Sequence, residues 1–157
     1  MRYFVALTLA VSLGPTFVGT AQTASDQRVL GPGAYVYQTR LDTASCEEAS
    51  QSGYTSTFFA AVDGVPGDRD MRMTLLNSQF WPTWQLAVQA NGHIMGDATI
   101  RNGRGPNPAR SHFEVERRGD HFRGRGYREY NATVNGQRRR CRNDFDVLIR
   151  RLDLARE

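Results

Sequence analysis

SHFEVERRGDHFRGRGYREYNATVNGQRRRCRNDFDVLIR, residues 111–150, decides the fold because it holds two tight turns whose registers agree. Gly119-Asp120 reads as a two-residue hairpin turn with glycine first, and Asn135-Gly136 as a primed turn joining closely paired strands. The first turn sets Val115 opposite Gly124 and Phe113 opposite Gly126. The second sets Cys141 opposite Tyr130, Phe145 opposite Gly126, Val147 opposite Gly124 and Ile149 opposite Phe122. Side chains along a strand alternate between faces, so two independent turns arrive at one inner face. On that face Gly124 and Gly126 are flanked by bulky residues from both neighbours, as the concave wall of a closing sheet requires. The outer face then carries Glu114–Arg125–Asp146 as a charge row, with Glu129 facing Arg142.

Upstream, alternating apolar residues predict strands near 34–41, 54–62, 71–77, 84–90 and 93–101, ahead of 111–118, 121–134 and 137–152. The segments 63–70 and 101–110 are loops by their Gly, Pro and Asn content. At Asn91-Gly92, a three-residue loop ending in Gly92 pairs Val88 with Ile94, Leu86 with Gly96 and Trp84 with Ala98, giving one apolar face. Residues 43–53 would hold one helical turn capped by Ser45, with Glu47 and Glu48 in its first turn. The expectation is an all-β protein: an antiparallel up-and-down β-barrel, or barrel-like sandwich, of about eight strands with one disulfide. Registers within residues 34–77 stay open.

The chain starts with Met1-Arg2, an apolar run from Phe4 to Leu13 and a small-residue Gly19-Thr20-Ala21 site. That pattern reads as a signal peptide over 1–21, followed by a flexible lead over 22–33 and a single barrel domain over 34–157. Export places Cys46 and Cys141 where they would pair as a disulfide. Closing a loop of that length is worth about 4–5 kcal/mol. No second apolar segment long enough to span a bilayer follows, so no membrane span is expected. The expected location is periplasmic or secreted.

All 20 Lys+Arg positions are arginine. Residues 1–100 carry a net charge of −3 and residues 101–157 a net of +7, a one-sided field suited to an anionic partner. Arg138-Arg139-Arg140 is the densest cationic run. Its predicted opposites, Thr133, Ala132 and Asn131, offer no carboxylate, while Arg142 is matched to Glu129. With Arg104 and Arg110 from the 101–110 loop, these three form a candidate anion-binding rim; a solvated, charge-rich barrel edge is the plainer alternative. Phe80-Trp81-Pro82-Thr83-Trp84 is the aromatic centre. Trp84 shares the inner parity, and Trp81 sits at a proline-bent strand entry. Together they would plug a barrel end or line a ligand mouth.

His93, His112 and His121 fall on outer positions without convergence, and no metal-ligand spacing accompanies them. Asp63, Asp68 and Asp70 gather in one loop without the spacing of an EF-hand. Arg118-Gly119-Asp120 matches an adhesion tripeptide that the turn geometry already explains. No nucleophile elbow supports a hydrolase. The sequence therefore assigns no catalytic residue, no metal ligand and no cofactor.

An export signal, arginine in place of lysine, the hairpin QANGHIMGDATI (89–100) and a late Gly124-x-Gly126 strand followed by Cys141 occur together. In these features residues 54–152 resemble the small secreted or periplasmic single-disulfide β-proteins of alphaproteobacteria. The resemblance implies a periplasmic location and no active site. The expected function is that of an exported non-enzymatic binding protein contacting an anionic polysaccharide, a lipopolysaccharide or an acidic protein surface through its arginine rim. Alternatives are a carrier of small hydrophobic ligands and a secreted enzyme inhibitor acting through 101–110. Nucleic acid is not an expected partner.

Overall fold

The computed structural model describes residues 30–46, 52–65, 68, 70–100 and 108–153. Eight strands follow in chain order: β1 (Gly33–Ala44), β2 (Thr55–Asp63), β3 (Arg72–Leu75), β4 (Thr83–Val88), β5 (Ile94–Ile100), β6 (Ala109–Arg118), β7 (His121–Val134) and β8 (Gln137–Arg151). Each pairs antiparallel with the next, and β8 closes on β1, giving an up-and-down closed barrel. The expected signal peptide and most of the expected lead lie outside the described residues. The end of the lead is already tied in: Leu30 is fully buried and Gly31 accepts a hydrogen bond from the Tyr35 hydroxyl at 2.7 Å.

The three hairpin registers read from the sequence are those of the structure. Val115 faces Gly124 and Phe113 faces Gly126; Gly126 faces Phe145 and Gly124 faces Val147; Val88 faces Ile94. Asn135 and Gly136 both have positive φ, 51° and 77°, and Gly119 has φ 65°, as the two turns demand. In the first half, β1 pairs Tyr35 with Ala60 and Tyr37 with Phe58, and β3 sets Met73 against Trp84. The short β3 leaves part of the β2 edge uncovered, and Asn77 caps it by accepting from the Phe59 N–H at 2.9 Å.

Gly124 and Gly126 sit where β6 and β7 approach most closely. A Cβ on Gly126 would lie 2.5 Å from the His112 carbonyl oxygen and 2.6 Å from the Phe145 ring, and one on Gly124 would collide with the β6 backbone at Glu114. The absent side chains let the wall curl tightly enough to close. Aromatic rings fill the interior. The rings of Trp84 and Phe113 lie 5.1 Å apart between centroids, and Tyr37 lies 5.7 Å from each. Above them is a polar inner layer of Thr39, Ser111 and Asn143, all buried.

That layer belongs to the barrel end where β1 ends and β8 begins. There Cys46 and Cys141 form the disulfide, with Cα atoms 5.5 Å apart. Ser45 does not act as a helix cap: its hydroxyl accepts the Arg142 backbone N–H at 2.7 Å, and its own N–H donates to the Arg142 carbonyl at 2.9 Å. Residues 47–51, the rest of the expected helical turn, lie outside the described residues.

Candidate functional site at the disulfide end

β7 and β8 run beyond their neighbours at this end. The β6–β7 ladder stops at Arg110–Glu129 and the β1–β8 ladder at Ala44–Asn143. Pairing between β7 and β8 continues through Asn131–Arg140, Ala132–Arg139 and Thr133–Arg138 to Val134–Gln137. The result is a two-stranded arm with the disulfide at its base. The sequence builds it by placing Asn135-Gly136 well past the last residues that face the core.

The arginines on and below this arm divide into two groups. Glu129, with a side chain only 17% exposed, receives three of them: Arg110 at 2.8 Å, Arg140 at 3.2 Å and Arg142 at 3.5 Å. The Arg110 hydrogen bond does most to hold the Glu129 carboxyl below its ordinary range, with Arg140 adding to it and burial opposing. Arg142 bonds chiefly to Asp144, at 2.9 Å from Nη2 and 3.0 Å from Nε, and its guanidinium covers the Tyr127 ring at 4.1 Å. Arg140 also reaches the Pro108 carbonyl at 3.3 Å. The expected rim is therefore corrected: Arg140 and Arg110 share the single Glu129 carboxylate, and Arg104 lies outside the described residues. Arg138 and Arg139 are exposed and have no ion-pair partner among the described residues. Thr133 and Ala132, their cross-strand neighbours, are as the sequence predicted.

The aromatic candidates belong to the same end, on the β3–β4 side. In an eight-strand closed order that side lies four strands from the arm, across the barrel mouth. Trp84 is not part of a mouth. It is fully buried and its Nε1–H donates to the Trp81 carbonyl at 3.2 Å. Trp81 is half-buried and packs on the core, while Phe80 beside it is 73% exposed. Trp84 thus completes the packed interior instead of bordering a ligand.

One inward residue escaped the sequence reading. Arg128 pairs in register with Ser111 and Asn143, both buried, and its guanidinium lies 4.9 Å over the Phe145 ring. Burial pushes the Tyr37 phenol well above its ordinary range, and the Arg128 charge opposes that shift. Parity held the signal, since Arg128 continues the inner series Gly124, Gly126.

The histidines each meet a carboxylate on the outer wall: His93 with Glu114 at 2.7 Å, His112 with Asp97 at 2.8 Å, His121 with Asp120 at 2.9 Å. Glu114 consequently turns to His93, leaving Arg125 with Asp146 at 3.7 Å. His93 and His112 border one shallow outer trough across β6, β7 and β8, a convergence that separate outer positions did not reveal. Among the described residues no helix is long and apolar enough to cross a membrane. No protein-family model, no curated protein and no solved structure matches this chain.

Proposed function

We propose that this chain is an exported, non-enzymatic binding protein that holds an acidic polysaccharide through the β7–β8 arm. One observation carries the reading: among the described residues no carboxylate pairs with Arg138 or Arg139, both exposed on the arm, while the arginines at its base share Glu129 and Asp144. Guanidinium groups recognise carboxylate and phosphate through paired N–H donors, and the β7–β8 pairing with the disulfide at its base holds the arm that presents them. The disulfide suits an oxidising compartment, as does the resemblance to periplasmic single-disulfide proteins. The carrier alternative loses support because Tyr37, Trp84 and Phe113 occupy the interior. The 101–110 loop on which an inhibitor reading rests lies largely outside the described residues.

The test is binding to immobilised polygalacturonate and to lipopolysaccharide. Wild-type protein binds one or both, and salt weakens the binding within the range where exposed charges are screened. The R138S/R139S variant loses it, and R140S weakens it less. Unchanged binding by R138S/R139S rejects the arm as the site, and binding only to an acidic protein rejects the polysaccharide reading.

A further inference from the structure

The outer trough spans about 380 Å3 and runs beside the backbone of Gly124 and Gly126. Its acidic groups are already engaged. Glu114 holds His93, Glu116 holds Arg118, and Asp144 holds Arg142. Its remaining cations are less committed. Arg125 meets Asp146 only at 3.7 Å, beyond hydrogen-bond length, and Arg123 has no ion-pair partner among the described residues. The Tyr127 ring is covered by Arg142 at 4.1 Å and approached by His112, with centroids 5.5 Å apart. That wall is therefore closed to stacking, with the Arg142 N–H groups already given to Asp144 and Glu129. The trough combines two exposed guanidinium groups, Arg123 and Arg125, with carboxylates already paired to other side chains and an open shape.

From this we infer that the trough is a binding subsite for one oxyanion-bearing sugar unit, gripped by Arg123 and Arg125. The inference deepens the arm reading and rests on it for the identity of the chain. Arg138, Arg140, Arg142 and Asp144 share the outer parity of β8 and Arg139 the opposite one, so a polymer held on the Arg138 side of the arm passes into the trough along one face. Six residues of strand separate Arg138 from Asp144, about 20 Å. The volume suits one or two sugar rings, and the openness lets a chain continue through it.

Polygalacturonate and free galacturonate serve as probes, with R123Q/R125Q as the trough variant and R138S/R139S as the arm variant. Both pairs of side chains are exposed, and an unchanged circular dichroism spectrum confirms folding. Galacturonate shifts the Nε–H resonances of Arg123 and Arg125 in wild-type protein, and R123Q/R125Q binds polygalacturonate roughly tenfold more weakly. Polygalacturonate bound equally well by R123Q/R125Q overturns the inference even when R138S/R139S has lost it. Galacturonate that leaves both resonances unmoved overturns it as well. Should R138S/R139S bind unchanged while R123Q/R125Q fails, the arm reading falls and the trough stands.

Discussion

Glu129 carries more of the electrostatics at the disulfide end than any other side chain, since Arg110, Arg140 and Arg142 all converge on it. Its folded-state pKa is lowered, principally by the Arg110 hydrogen bond. The sign follows from that direction. The stabilisation is complete above the ordinary carboxylate range and disappears as pH falls through the depressed folded value. E129Q should therefore cost about 1 kcal/mol at neutral pH, as a partly exposed ion-pair cluster does. Thermal melts of both proteins should converge as pH falls through the depressed Glu129 range and wild-type Glu129 becomes protonated too; a gap that persists at the acid end of the series refutes this assignment. The sequence showed Glu129 facing Arg142 but missed the other two partners. The Gly, Pro and Asn content of 101–110 assigns Arg110 to a loop, whereas β6 already begins at Ala109. Arg140 reaches Glu129 diagonally, and long side chains make such contacts without being opposite in register.

At the scale of elements, turns and glycines made β4 to β8 legible. Each hairpin there has a short turn of defined geometry, and a one-residue slip would expose an entire face. β2 and β3 were harder, because the loop between them is long and β3 has only four residues. Its partner registers depend on tertiary closure, which no local pattern encodes. The glycines now separate two kinds of cost. Gly136 has φ 77° with open space around it, so G136A should cost about 1–2 kcal/mol through backbone strain alone. Gly124 lacks a positive φ, yet an added Cβ meets β6 backbone that cannot move aside. G124A should thus cost at least as much, about 1–3 kcal/mol as overpacking, and should shift the resonances of Glu114 and Val115. Chemical denaturation measures both costs. A neutral G124A would mean that the β6–β7 approach is looser than the barrel closure requires.

On the scale of the whole molecule, closure brings together ends of the chain that sequence distance separates. The β1–β8 seam joins the first strand to the last, and the disulfide lies where that seam meets the arm, linking residues 95 apart. Cross-linking a loop of this length removes unfolded-chain entropy worth about 4–5 kcal/mol. Single hairpins elsewhere gain nothing comparable, because their strands are already close in sequence. C46S/C141S should accordingly lower stability by about 4–5 kcal/mol in denaturant titrations, with the loss residing largely in the unfolded state. Its local consequence differs. Ser45 and Arg142 are the last residues holding β1 to β8, so without the bridge they should open locally and exchange faster than the global limit allows, while Tyr37 and Ile149, paired deeper in the seam, exchange at that lowered limit, about three decades faster than in the bridged protein. Unchanged exchange at Tyr37 and Ile149 would refute the global loss. Ser45 and Arg142 exchanging no faster than those two would show that the bridge does not separately fix the base of the arm, which must be firm if Arg138 and Arg139 are to meet a charged chain in a defined orientation.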